Sequence, residues 1–357
     1  MATSTDTMRA VRLVAWGQAP ELVEIPVPEP GPGQARVRVA GCGLCHSDLA
    51  MMAMPADLAE SLGWHLPFTL GHETAGYVDA WGTDVGGFVE GQPVALASPT
   101  SCGLCRWCRR GMENACPSGT TGRGYGRDGG LADYVLVDQP ERSLIPLGTL
   151  DPRVAGPLTD AGATAHHAVA RVAPRVGDDA AVVVVGAGGM GRFVVQLVRR
   201  LTNARVVAVD TNADRRDEAV GLGAHAAVDN AGRGAGRRIV DAADGRPIDA
   251  VVDLVGTDDT IGLAASVLAP AGALAVVGAA GGRLNRPWFG GLPRDAEVFT
   301  FQGSDLADVR SVVALAAAGD LRLDVVPFTL EQTFDAYRAL EAGTLTGRAV
   351  VQPLGGP

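Results

Sequence analysis

The chain lacks the features that would place it on a membrane or on nucleic acid. Its longest apolar stretches, such as Ala180–Val185 and Val267–Ala280, are short or broken by glycine and proline, and none spans a bilayer. Thirty Lys+Arg stand against forty Asp+Glu for a net charge of −10, and no Lys/Arg cluster offers a face to phosphates. Met1–Thr7 has neither a basic start nor an apolar core, so it does not read as an export leader. These absences predict a cytoplasmic protein with no nucleic-acid and no membrane partner. In that reducing setting, six cysteines point to metal binding or catalysis rather than disulfides.

What is present fits a compact enzyme-sized chain. At 357 residues, with 47% hydrophobic and 20% charged residues, there is material for two domains with separate cores. The mean hydropathy of +0.15 argues against disorder. Many of the 48 glycines lie in turns beside Val/Ala runs, as tight strand-to-helix turns require.

Chemistry concentrates first in Cys45-His46-Ser47-Asp48 and Gly71-His72-Glu73. A thiolate and an imidazole are half of a zinc site, and a catalytic zinc keeps one position open for water or substrate. The plainer reading is two buried polar residues near in sequence. A second cluster, Cys102-Gly103-Leu104-Cys105-Arg106-Trp107-Cys108 closed by Cys116, spaces four thiols by two, two and seven residues. Four such thiols can surround one tetrahedral metal; with no open position, that metal would hold a loop and do no chemistry. Two disulfides are the alternative, disfavoured by compartment and tight spacing.

Around these motifs the first part of the chain reads as short strands: Arg9–Ala15, Glu21–Val27, Ala35–Ala40, Tyr77–Trp81 and Pro93–Ala97. Gly41–Asp48 is expected in the loop after the third strand, and Leu49–Glu60 as one methionine-rich helix. Met51, Met52, Met54, Trp64 and Phe68 could line an apolar pocket, though such residues are more often core.

From about Pro157 the pattern changes to alternating strands and helices. Val182–Val185 is a continuous apolar strand, Gly186-Ala187-Gly188-Gly189-Met190-Gly191 follows at once, and Phe193–Leu201 reads as a helix. A second strand, Arg205–Val209, ends on Asp210, nineteen residues after the last glycine. A lone GxGxxG is weak, but between strand and helix and followed by an acid it is a dinucleotide fingerprint. The glycines let the backbone approach a pyrophosphate, and the helix N-terminus supplies free N–H groups. Asp210 can bond the adenosine ribose and repel a 2′-phosphate, favouring NAD over NADP. Arg215 and Arg216 close behind leave room for NADP, or form a solvated helix face. Further strands at Ala226–Asp229, Ile248–Val255, Ala273–Gly278 and Val298–Phe301, with a helix at Asp259–Leu268, complete a six-stranded doubly wound parallel sheet. Helices Leu306–Ala318 and Glu331–Gly343 and strands Val325–Thr329 and Arg348–Gln352 then return the chain to the first domain.

In this order, these motifs resemble the zinc-dependent medium-chain alcohol dehydrogenases, over essentially the whole length. The resemblance implies an α/β protein: a GroES-like, mostly β catalytic domain from 1–158 and 304–357, and a Rossmann domain from 159–303. The active site would lie in the cleft between them. It implies two zinc ions per chain, one structural on Cys102, Cys105, Cys108 and Cys116. The other would be catalytic, on Cys45, His72 and a third ligand. That ligand is usually the cysteine of a Cys-Ala-Gly-x-Thr segment; here Asp160-Ala161-Gly162-Ala163-Thr164 stands in its place. Zinc accepts carboxylate oxygen, and the formal charge of the site is unchanged. The bland alternative makes Asp160 an exposed N-cap. Cys42 is expected as a buried thiol.

The resemblance also implies roles for neighbouring residues. Asp48 would orient His72, Glu73 would adjoin the zinc, and Ser47 would hydrogen-bond the substrate oxygen and relay its proton. His46 and Arg348 would face the coenzyme pyrophosphate, while Thr164, Met190 and the backbone near Val277 would surround the nicotinamide. A relay histidine found in many relatives is here Ala50. The expected reaction is reversible hydride transfer between a small alcohol, aldehyde or ketone and NAD, with a fairly apolar secondary alcohol favoured. The same chemistry on a polyol or sugar, with Gln302, His65 and Asn285 meeting hydroxyls, is a second reading. A zinc-holding binding protein that has lost catalysis is the third. Relatives assemble as dimers or tetramers through the edge of the Rossmann sheet, for which Ala273–Gly278 is the expected strand.

Overall fold

The computed structural model describes residues 6–287 and 289–354; the first five residues of the opening segment, judged above as no leader, lie outside them. The chain forms two compact units. One comprises Met1–Ala163, Ser304–Gly319 and Leu323–Pro357, and the other Thr164–Gly303 and Asp320–Arg322.

The first unit is mostly β. Its larger sheet has seven strands, in the order Leu144–Pro146, Pro93–Leu96, Glu73–Trp81, Gln34–Gly43, Arg348–Val351 and Val325–Phe328, with Tyr134–Asp138 also pairing to Gln34–Gly43. A three-stranded sheet carries Glu21–Pro26, Thr7–Leu13 and Phe68–Thr69. Alternation along the central strand sends Ala35, Val37 and Val39 inward, where they meet Leu44, Phe68, Leu70, Val78, Leu96 and Leu131 in one core.

Two local expectations are corrected here. Gly41–Gly43 is not loop: the strand continues through Gly43, because Cys42 and Gly43 pair with Thr74 and Glu73 on one side and with Val351 and Val350 on the other. The expected helix Leu49–Glu60 is two, His46–Met52 and Ala56–Ser61, because Pro55 cannot continue a helix and instead caps the second. Met51 is 2% exposed and belongs to the core rather than to a pocket.

The second unit is a six-stranded parallel sheet in the order Ala226–Val228, Arg205–Val209, Ala181–Val185, Ile248–Asp253, Ala273–Val276, Glu297–Thr300. The reversal of chain order beside the first strand is the doubly wound topology, with ligands expected at the carboxyl ends of the strands. Val183, Val185, Val207, Val209, Val251 and Leu274 form its core. The expected edge strand is corrected: Ala273–Val276 is paired on both sides, and the edge is Glu297–Thr300. Helices Ala213–Gly221 and Ala235–Ala242 were not anticipated. Each buries few residues, so its apolar period is thin.

Candidate active site

The metal-ligand candidates of the first unit come from three separate elements. Cys45 is the N-cap of the His46–Met52 helix, His72 immediately precedes the strand Glu73–Trp81, and Asp160 ends the turn Gly156–Thr159. The Asp160 Oδ2 atom lies 3.5 Å from His72 Nε2 and 3.9 Å from Cys45 Sγ. Bond lengths of about 2.0–2.3 Å put ligands of one tetrahedral zinc roughly 3.3–3.8 Å apart, so this spacing is close to that of a zinc site. Glu73 joins the same cluster.

Each donor is held from behind. Asp48 Oδ2 accepts the Cys45 backbone N–H at 3.0 Å, fixing the helix start, while Asp48 Oδ1 faces His72 Nδ1 at 3.2 Å without hydrogen-bond alignment. His72 Nε2, on the other side of the ring, has no hydrogen-bond partner although the imidazole is buried. Arg348 is buried in an ion pair with Glu73. Gly43 is required beneath that pair, since a Cβ there would meet Glu73 Oε2 at 2.1 Å.

The electrostatics match the geometry. Burial alone would lower the His72 imidazole, but Tyr125, Asp48 and Asp160 together raise it well above its ordinary value. Burial would raise the Asp160 carboxyl, yet His72 and Arg348 hold it below the usual range. A half-buried thiol and carboxylate and a buried imidazole, carrying surplus negative charge and with the imidazole Nε2 unengaged, fit a divalent cation. Cys42 is different. Burial pushes its thiol up to about 12, and its Sγ sits 3.6 Å from Thr74 Oγ1, so it stays a protonated core thiol.

Some groups near the metal cluster were missed in the sequence. The Tyr125 ring lies 4.5 Å from the His72 ring, and Trp64 and Phe68 continue the aromatic wall behind it. Nothing local marks Tyr125; only the fold brings it to His72. His46 is exposed on the first helical turn, and Ser47 Oγ lies 3.5 Å from Cys45 Sγ. Of the hydroxyl-binding candidates, His65 and Gln302 are exposed and Asn285 bonds Asp258.

The four remaining cysteines form one cluster. The Sγ separations are 3.5 Å for Cys105–Cys108, 3.9 Å for Cys105–Cys116 and 4.0 Å for Cys102–Cys108, near the ~3.8 Å edge of a tetrahedral zinc–thiolate site. All six cysteines are free. Backbone N–H groups of Leu104 and Cys105 point at Cys102 Sγ and lower that thiol to about 6. The lobe is anchored by Glu113, whose carboxylate meets Arg142 at 3.2 Å and accepts the N–H of Leu306 at 3.4 Å.

The second unit builds a coenzyme cradle. Gly186 has φ +91°, and a Cβ on Gly191 would meet Gly186 O at 2.1 Å, so strand and helix approach only through glycine. Gly188 and Gly189 complete the turn, and Met190 caps the helix Gly191–Leu201. Asp210 Oδ2 accepts Ala187 N–H at 2.9 Å, and its Oδ1 accepts Asn212 N–H at 2.9 Å. Arg215 reaches within 4.0 Å of Asp210. Val277 N–H bonds Asp253 O at 2.8 Å, and Asp253 Oδ1 also takes the N–H groups of Val255 and Gly256. Thr164 lies buried on helix Ala161–Val172 with its Oγ1 unbonded.

A dinucleotide cradle and a Cys/His/Asp metal cluster in one chain define a metal-assisted oxidoreductase. Comparison with known proteins narrows this. Residues 31–149 match the alcohol dehydrogenase GroES-like domain, and 189–318 match the zinc-binding dehydrogenase domain. An NAD-dependent alcohol dehydrogenase of Sulfurisphaera tokodaii is 32% identical, covering 97% of this chain and 100% of that protein. A D-arabinose 1-dehydrogenase (NADP(+)) of Saccharolobus solfataricus is 29% identical over 88% of this chain and 89% of its own. The crystal structure of the Aeropyrum pernix alcohol dehydrogenase superposes with a TM-score of 0.88 at 31% identity, covering 97% of this chain and 100% of the other. The chain belongs to the zinc-binding medium-chain alcohol dehydrogenases, oxidoreductases acting on CH–OH groups, with a GroES-like and a Rossmann-type domain. No helix among the described residues is long and apolar enough to cross a membrane.

Proposed function

We propose that this chain interconverts a fairly apolar secondary alcohol and its ketone with NAD, at a catalytic zinc held by Cys45, His72 and Asp160. The convergence of Asp160 Oδ2 on His72 Nε2 and Cys45 Sγ carries this reading. A zinc in that position supplies Lewis-acid polarisation of the alcohol or carbonyl oxygen. The residues do the rest. Asp48 orients the His72 ring, and Ser47, beside Cys45, accepts the substrate hydroxyl proton and passes it toward the coenzyme ribose. With alanine at position 50, that proton leaves by a route other than a histidine there. Glu73, tethered to Arg348, adjoins the metal.

Tyr125, half-buried with its ring against that of His72, supports an apolar substrate. Gly186, Gly188, Gly189, Met190 and Gly191 would hold the pyrophosphate, while Thr164 and the Val277 backbone meet the nicotinamide. Asp210 would take the ribose with Arg215 beside it, which favours NAD. Cys102, Cys105, Cys108 and Cys116 would hold the structural zinc. A cytoplasmic homodimer or homotetramer joined at Glu297–Thr300 completes the reading.

The D-arabinose dehydrogenase among the relatives favours a second substrate class, a sugar or polyol. Turnover of 2-alkanols, primary alcohols, polyols and aldoses with NAD and NADP separates the two. Highest kcat/KM on 2-alkanols with NAD is expected; highest on aldoses selects the second class. No turnover of any, with one zinc per chain, would mean a binding protein that has lost catalysis.

A further inference from the structure

The helix Thr333–Glu341 packs against the helix His46–Met52, which carries Asp48. Tyr337 projects from it into the core of the first unit, 5% exposed, in the cluster that also holds Cys42, Leu44 and Met51. Its hydroxyl is buried with no hydrogen-bond partner, and so is Asp48 Oδ1. The phenol faces Asp48, with Cys42 and Cys45 nearby; burial first, then these neighbours, raise its ionisation well above the ordinary value. The phenol therefore stays protonated and is a donor without an acceptor, beside an acceptor without a donor.

An unmade buried hydrogen bond costs about 1–3 kcal/mol per group, and a shift of the two side chains that brings the O–H to the carboxylate removes both deficits at once. Phenylalanine would fill the same volume without either deficit on the tyrosine side, so packing alone gives no reason for the oxygen.

We propose that Tyr337 is a positioning residue of the catalytic metal site: its O–H donates to Asp48, which in turn fixes the His72 ring. The inference rests on the proposed zinc site. Asp48 then joins three groups, the Cys45 N–H, the His72 imidazole and the Tyr337 phenol. Loss of such an outer partner weakens metal binding by roughly ten- to a hundred-fold.

The test is zinc release to a chelator, followed with a colorimetric metal indicator on wild type, Tyr337→Phe, Asp48→Asn and the double variant. The catalytic zinc of Tyr337→Phe should leave about ten-fold faster, with release of the cysteine-lobe zinc unchanged. In the Asp48→Asn background, Tyr337→Phe should add nothing, which a purely structural role would not reproduce. Tyr337→Met, which refills the core without a donor, should repeat the loss should the phenylalanine variant fold poorly. Wild-type release kinetics in Tyr337→Phe, or full additivity with Asp48→Asn, would overturn the assignment. A wild type carrying one zinc would instead overturn the catalytic-zinc reading beneath it.

Discussion

Arg348 and Glu73 stand 275 residues apart in the chain and form a buried ion pair beside the metal cluster. Burial pushes Glu73 up to about 7 against the pull of Arg348, and the carboxylate raises Arg348 in return. Removing one partner of such a pair leaves an uncompensated buried charge. Arg348→Leu should therefore lose roughly 3–5 kcal/mol, measured by urea unfolding of chelated protein at pH 8. The sign with pH follows from linkage. Glu73 titrates higher in the folded chain than its unfolded value of 4.5, so the folded state binds more protons between the two values, and its stability falls as pH rises from 4.5 to about 7. The deficit of Arg348→Leu should accordingly shrink as pH is lowered through 7, and Glu73→Gln in that background should flatten the dependence.

Ser47 lies on the first turn of its helix with Oγ 3.5 Å from Cys45 Sγ. Ser47→Ala should reduce kcat by about 10²-fold or more, the contribution of a positioned proton-transfer group. Zinc content should remain two per chain and stability should change by less than ~0.5 kcal/mol. Normal turnover in this variant would sink the relay.

Asp210 is tied by its own two hydrogen bonds to Ala187 and Asn212 at the end of a buried strand, with Arg215 alongside. A fixed carboxylate there repels a 2′-phosphate. Asp210→Ser should move the NADP-to-NAD ratio of kcat/KM by at least about ten-fold, roughly 1.4 kcal/mol. An unchanged ratio would place discrimination elsewhere.

The cysteines should separate by reactivity. After chelation, iodoacetamide should label Cys102 first, with a rate that rises through pH 6, because the N–H groups of Leu104 and Cys105 stabilise its thiolate. Cys42, pushed to about 12 by burial, should stay unlabelled until unfolding. Peptide mapping of the alkylated sites checks both, and early labelling of Cys42 would contradict its place in the core.

Much of this was legible because the motifs are local. The spacing of Cys102, Cys105, Cys108 and Cys116 and the turn Gly186–Gly191 with Asp210 are short-range patterns whose chemistry dictates their geometry. Asp160 needed the family resemblance, because an aspartate before a helix carries no metal signal by itself. Tyr125 and Tyr337 were invisible: one reaches His72 and the other Asp48 only through strand pairing and helix packing far apart in sequence. Sheet order was partly hidden too. The strand Ala273–Val276 reads like an edge, yet Glu297–Thr300 pairs outside it across an intervening loop. The Leu49–Glu60 helix failed at Pro55, where the breaker outweighed the apolar period.

Everything proposed for catalysis depends on Asp160 completing a three-ligand zinc site with Cys45 and His72. Zinc per chain, measured by atomic emission on wild type and Asp160→Ala together with NAD-linked oxidation of 2-alkanols, tests it most directly. Two zincs should fall to about one in Asp160→Ala, with activity lost and the cysteine lobe still loaded. Two zincs and full activity retained in Asp160→Ala would contradict it.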